Sequence, residues 1–202
     1  MIKTEQFAQL AKKLHIQFTD LHLLARAFTH RSFLNEHRNS GLEHNERLEF
    51  LGDAVLELVV TDFLYKNYPK KPEGEMTALR SALVNAQTLS EVALHLGLNE
   101  YLLLSKGESK DTGRARSIIH ADTIEAIIGA IYIDKGYDAA ANFISSELME
   151  VIDIEEIIKN KTWLDAKSRF QEKAQEMTGL TPSYRTLKEV GPDHNKSFTL
   201  GV

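Results

Sequence analysis

The chain has 202 residues, 43% of them hydrophobic, no cysteine and a formal net charge of −5 at pH 7. That length allows one full core and part of a second; the lack of cysteine excludes a disulfide framework or a thiolate metal site, and no apolar run is long enough to span a bilayer. The acidic balance argues against a whole-surface nucleic-acid partner, but residues 161–202 hold seven Lys/Arg against five Asp/Glu, so an acidic body precedes a mildly basic tail.

Chain order begins with MIKTEQFAQLAKK, an amphipathic pattern and not a signal peptide, so a soluble cytoplasmic protein without membrane contact is expected. Phe7, Leu10, Ala11 and Leu14 recur at helical spacing, as do Leu23, Leu24, Ala27 and Phe28. HNERLEFLGDAVLEL, 44–58, reads as one helix carrying several acids. After the turn PKKPEGE, Leu79, Leu83 and Val84 mark a further core stripe. SKGESKDTGRARS, 105–117, is polar and basic and is expected to be a mobile loop. ADTIEAIIGAIY is a helix apolar almost all round. WLDAKSRFQEKAQEM is another helix, and SYRTLKEV and SFTLGV are two strands joined by the turn GPDHN. The domain boundaries expected are 1–152 for a helical domain, 153–162 for a linker and 163–202 for the start of an α+β module that stops at Val202 in mid-strand.

At about 100° per residue, Glu46, Glu49 and Asp53 fall within an arc of about 60°, while Leu48, Leu51, Val55, Leu58 and Val59 occupy the opposite side. An acidic stripe of this kind is ordinarily a solvated face. Asp122 and Glu125 have no such explanation, because they share one face of an isoleucine-rich helix that should be buried. Carboxylates buried together need a counter-charge, since desolvation and mutual repulsion both favour protonation. With no Cys and no paired His beside them, an all-oxygen set suits a hard cation such as Mg²⁺. Gly52 and Gly129 each cost about 1 kcal/mol inside a helix relative to Ala, and close approach of a backbone or a ligand would compensate.

These residues also carry a resemblance. NERLEFLGDAVL, 45–56, resembles the signature of the ribonuclease III family, and PEGEMTALRSALV, LLLSKGE and ADTIEAIIGAIYIDKG resemble its following segments in the right order. From Trp163 the tail is similar to the first half of a double-stranded RNA-binding domain. The resemblance implies an all-α nuclease domain followed by a partial, truncated α+β double-stranded RNA-binding domain. It also implies a homodimer that binds duplex RNA and hydrolyses it to 5′-phosphate and 3′-hydroxyl ends, in processing of precursors such as rRNA and in mRNA turnover. Mg²⁺ would be the cofactor, with Mn²⁺ able to substitute and no small-molecule cofactor.

Carried onto this sequence, the metal ligands are Glu49, Asp53, Asp122 and Glu125, with Asp53 and Glu125 in the catalytic role. Glu46 and Glu73 are accessory acids, Phe50 inserts into a pocket on the partner subunit, and Ser168, Gln171, Glu172 and His194 contact RNA. His120 departs from the aliphatic residue more usual there, and reads as a core or partly exposed histidine able to tune Asp122. Lys106, Lys110, Arg114 and Arg116 are candidate phosphate contacts in the loop, with a merely solvated loop as probable a reading. Two other classes remain open: a duplex-binding protein with an inactive nuclease fold, against which the complete acid set counts, and a metal-dependent enzyme acting on small diphosphates, which leaves the tail unexplained.

Overall fold

A computed structural model describes residues 4–152, 154–160, 166–192 and 196–202. The chain divides into two compact units, Met1–Asn160 and Lys161–Val202. The first holds nine helices among the described residues: α1 (Thr4–Lys13), α2 (Leu21–Ala27), α3 (Arg31–Glu36), α4 (Glu46–Asn67), α5 (Glu73–Leu83), α6 (Ala86–His95), α7 (Arg114–Lys135), α8 (Tyr137–Phe143) and α9 (Ile154–Asn160). Short 3₁₀ turns occupy Leu98–Tyr101 and Glu108–Lys110, and α8 runs on into a π turn, Ile144–Leu148. Helix α9 falls within the segment read as a linker. No described helix is long and apolar enough to cross a membrane.

The two 22-residue helices α4 and α7 form the axis of this unit. Helix α7 buries Ile119, Ile124, Ile127, Ile128 and Ile131, and α4 meets it with Leu48, Val55, Leu56 and Val59. Removing each such side chain from water contributes about 1.5–3 kcal/mol. Around the axis Phe7, Leu10, Leu24 and Phe28 of α1, α2 and the residue capping α2 form one layer, and Leu79, Leu83 and Leu89 of α5 and α6 another. The periodic stripes named from the sequence therefore face the core, with Leu23, Leu51 and Val84 half-buried at its margin and one clear exception. Leu58 is 56% exposed, because the buried stripe of α4 centres on Gly52 and Val59, and Leu58 lies about 100° round from Val59.

Gly52 and Gly129 set how close the axis helices come. A methyl group on Gly52 would stand 1.7 Å from the backbone oxygen of Glu125, and one on Gly129 would stand 2.2 Å from that of Leu48. Both are impossible contacts with backbone, so only glycine at each position permits this crossing.

Helix α4 is also fixed at its start. Asn45, buried, donates its amide to the Ala27 carbonyl at 3.2 Å and its backbone N–H to the Thr29 carbonyl at 2.9 Å. Thr29 in turn bridges Leu103 in parallel, with Leu103 N–H donating to Phe28 at 2.9 Å.

The second unit holds α10 (Ala166–Thr178) and an antiparallel hairpin of β1 (Arg185–Val190) and β2 (Ser197–Gly201), in which Arg185 faces Gly201 and Val190 faces Ser197, with an irregularity between Thr186 and Lys188. The helix and both strands match the sequence pattern, and an all-helical unit followed by an α+β unit is the architecture expected.

Candidate active site

Helix α4 presents Glu46, Glu49 and Asp53 on successive turns, and α7 presents Asp122 and Glu125 one turn apart. The glycine crossing lies one turn further along both helices, since Gly52 follows Glu49 by three residues and Gly129 follows Glu125 by four. Bringing the backbones into contact there draws the preceding turns together. One carboxylate oxygen each from Glu49, Asp122 and Glu125 lies within 4.8 Å of the others. Two of these three come from the helix buried almost all round, and all three are half-buried.

The acids raise one another. Glu125 is pushed up to about 8, by burial first and then by Asp53, Asp122 and Glu49. Glu49 is raised by burial, then by Asp122, Glu46 and Asp53. Asp122 is raised chiefly by burial, with a further push from Glu46, and Asp53 by burial and then Glu57. Asp53 stands outside the three-oxygen group but close enough to be the largest charge acting on Glu125. Carboxyls gathered this closely all ionise only beside a cation. The donor set is entirely oxygen, which fits a small hard ion.

The other acids differ. Glu46 pairs with Arg31 at 3.3 Å through one oxygen, and His44 Nδ1 lies 3.6 Å from the other without a hydrogen bond. Arg31 and His44 were missed in the sequence; HNE offers a weak signal for the second and nothing local marks the first. Glu73 opens α5, accepts from Thr77 at 3.0 Å and lines a groove with Thr61, Tyr65 and Arg80. Thr61 lies about 18 Å along α4 from Glu49, so one chain does not bring Glu73 to the three acids.

His120 is 3% exposed and does not turn toward Asp122. Its Nε2 meets Asn99 Oδ1 at 3.0 Å and its Nδ1 meets Ser90 Oγ at 3.2 Å. An amide oxygen can only accept, so Nε2 carries the proton and Nδ1 accepts from the serine hydroxyl. Burial, then Arg116, lowers its pKa and keeps the ring neutral.

The segment 105–117 is more structured than its composition suggests. Glu108–Lys110 is a 3₁₀ turn, and α7 begins at Arg114. Arg116 turns inward, donating to the Glu108 carbonyl at 2.8 Å, the Asp111 carbonyl at 3.1 Å and Asn99 Oδ1 at 3.4 Å. It is therefore a brace of the loop and not a free phosphate contact, whereas Lys106, Lys110 and Arg114 are exposed.

Phe50 is 81% exposed on the same helix as Glu49, beside the acids and away from the core. On α10, Gln171 is half-buried; His194 lies outside the described residues, as do the side chains of Ser168 and Glu172.

Comparison with known proteins bears on this geometry. A family model described as ribonuclease-III-like matches residues 20–152. Ribonuclease 3 of Pelotomaculum thermopropionicum is 44% identical over 198 residues, covering 98% of this chain and 81% of that one. Ribonuclease 3 of Protochlamydia amoebophila is 45% identical over 197 residues, covering 98% and 80%. Among solved structures, the nuclease domain of ribonuclease III from Campylobacter jejuni matches with a TM-score of 0.65 at 36% identity, covering 75% of this chain and 98% of that one. A second structure of that domain, described for flexibility in a region involved in dimer formation, matches with a TM-score of 0.64 at 38% identity, covering 70% and 95%.

Proposed function

The chain belongs to the ribonuclease III family and is an endoribonuclease, and from that premise we propose that it hydrolyses double-stranded RNA at the carboxylates gathered where α4 crosses α7. The observation that carries this reading is the convergence of Glu49, Asp122 and Glu125 within 4.8 Å. Those three, with Asp53, would hold Mg²⁺ or Mn²⁺. When bound, the ion supplies an activated water and charge neutralisation at the phosphoryl oxygens.

The residues do the rest. Glu125, the deepest of the acids, fixes the charge of the site: without a cation it keeps its proton near neutrality, and with one it joins the ionised set. Asp53 is exposed at the edge of the group, where its carboxylate orients the water that approaches the scissile phosphorus. Glu46, paired with Arg31, and Glu73 serve as accessory acids toward the duplex. Attack by water leaves 5′-phosphate and 3′-hydroxyl ends. A cyclising reaction would instead need an acid and base pair on the 2′-hydroxyl; His120 is buried against Ser90 and Asn99, and His30 caps α3 by accepting from the Ser32 N–H.

Phe50, too exposed for a monomer's aromatic, docks in a partner subunit, so that two copies present two such sites along one duplex. Affinity for the polyanion comes from Lys106, Lys110, Arg114 and the second unit, because local cations and not net charge set phosphate binding. Substrates would be structured precursors such as rRNA, together with mRNA.

The test is cleavage of long duplex RNA in Mg²⁺, run beside single-stranded RNA and a small phosphodiester, with end-labelling to identify the termini. Cutting confined to the duplex, with 5′-phosphate ends, is expected. Equal hydrolysis of the small ester would sink the reading, as would binding of duplex without cutting.

A further inference from the structure

The loop from Ser105 to Gly113 has two anchors. On one side Ser105 N–H donates to Ser32 Oγ at 3.1 Å, and Lys106 N–H to the carboxylate of Glu36 at 3.2 Å. On the other Arg116 clasps the carbonyls of Glu108 and Asp111. Between loop and helices lies a cavity of about 440 Å³ whose lining includes Ser90, Asn99, Thr112, Arg116, Ser117 and His120. Leu94, Leu102 and Leu104 also line this hollow, but the loop's own residues from Lys106 to Gly113 are exposed except for the half-buried Glu108. Its shape therefore hangs on hydrogen bonds, whose geometry is directional, more than on buried area.

We propose that His120 and Asn99 are positioning residues that, through Arg116, fix this loop and the exposed Lys106 and Lys110 it carries, and so set how the enzyme engages duplex RNA. Asn99 Oδ1 receives both His120 Nε2–H and an Arg116 N–H. Were the amide turned over, its NH₂ would face the Arg116 N–H, which can only donate, so the arginine fixes the amide and the amide in turn sets the histidine tautomer. His120 is itself oriented by Ser90 on α6. The chain of contacts thus ties α6, α7, the 3₁₀ turn at Leu98–Tyr101 and the loop into one unit. None of its members reaches the metal-binding acids, which is why the effect falls on engagement and leaves chemistry alone. The inference rests on the duplex-cleaving reading for its consequence, but not for its structural content.

Three variants test it: His120→Leu and Asn99→Leu, which remove the link, and Asn99→Asp, which keeps an acceptor for both donors. Amide hydrogen exchange over 105–116 is the first readout and needs no activity. Loss of the link should speed exchange there about tenfold, with Asn99→Asp near wild type. Duplex cleavage is the second: KM should rise by about fivefold to tenfold in both Leu variants, with the saturating single-turnover rate within about twofold of wild type. Asn99 is exposed, so Asn99→Leu decides the matter if His120→Leu does not fold. Unchanged exchange in Asn99→Leu overturns the proposal, and so does a fall in the saturating rate with KM unmoved, which would place the effect on Asp122. If wild type fails to cut duplex RNA while the exchange pattern is as expected, the functional reading fails and the positioning role stands.

Discussion

Helices α4 and α7 have the same length and each contributes acids and one glycine to the site, yet they are built on opposite plans. Helix α4 has a wet face: Asp53, Glu57 and Phe50 are exposed, and its acids lie along the border between solvent and core. Helix α7 has none between Ile119 and Ile131, where its two acids sit half-buried among buried isoleucines. The difference appears in the proton affinities, where Glu125 is carried to about 8 chiefly by burial. The proposed metal site needs ligands that are both rigid and reachable, and one helix supplies rigidity while the other keeps the cluster open.

The sharpest way to break this division of labour is Glu125→Gln, which keeps shape but removes the charge from the buried side. Single-turnover cleavage in Mg²⁺ should fall by about a thousandfold. Duplex binding measured in Ca²⁺ should hold or improve, because phosphate contacts lie elsewhere and one repulsive charge is gone. Near-wild-type cutting by the folded variant would remove Glu125 from the site.

Next in size is the crossing itself. Gly52→Ala sets a methyl against the Glu125 carbonyl and must push the helices apart, at a cost of about 3 kcal/mol or more. Gly74→Ala, a glycine in α5 with open space around its Cα, is the control and should be neutral or slightly stabilising in a urea titration. Cleavage should fall in the first variant even where it remains folded, since the acids would separate.

A smaller effect concerns pH. In metal-free protein the folded chain holds a proton on Glu125 from its ordinary 4.5 up to about 8, whereas the unfolded chain releases it. Stability should therefore fall as pH is raised through that window and level off above it. The raised carboxyls of Glu49, Asp122 and Asp53 act in the same direction. Melting temperatures from pH 5 to 8.5 should show this slope, and Glu125→Gln should flatten most of it. A slope of opposite sign would mean that the acids are already neutralised in the free protein.

The smallest effect on the subunit itself is expected from Phe50→Ala. The ring is exposed, so the melting temperature should barely move while the mass in sedimentation falls toward that of the monomer and cleavage drops. Lost thermal stability with dimerisation intact would return Phe50 to the core.

Much of this was legible in the sequence. The stripe Glu46, Glu49, Asp53 and the pair Asp122, Glu125 stood out because period alone decides which residues share a face, and the two helix-interior glycines announced a close approach. Leu58 misled because a wheel gives the faces of α4 but not which of them the neighbouring helix will choose. Arg116 misled for a different reason: a basic residue in a polar segment reads as solvated, and only the fold brings Asn99 and the Glu108 carbonyl beneath its guanidinium. The same holds for His120, whose partners lie on two other elements, and for Arg31, which meets Glu46 across the turn between α3 and α4. Periodicity reports on a helix, and pairing between distant polar groups belongs to the tertiary structure.

The glycine crossing has one more consequence. Gly52 and Gly129 are separated by nearly half the first unit, so the acids of α4 emerge from synthesis well before those of α7 and stay dispersed until the backbones close on each other. Contacts between segments so distant form late, after their loop-closure entropy has been met. An unfinished or misassembled chain therefore possesses the ligands but no site, and the capacity to cut is gained in the same event that completes the fold.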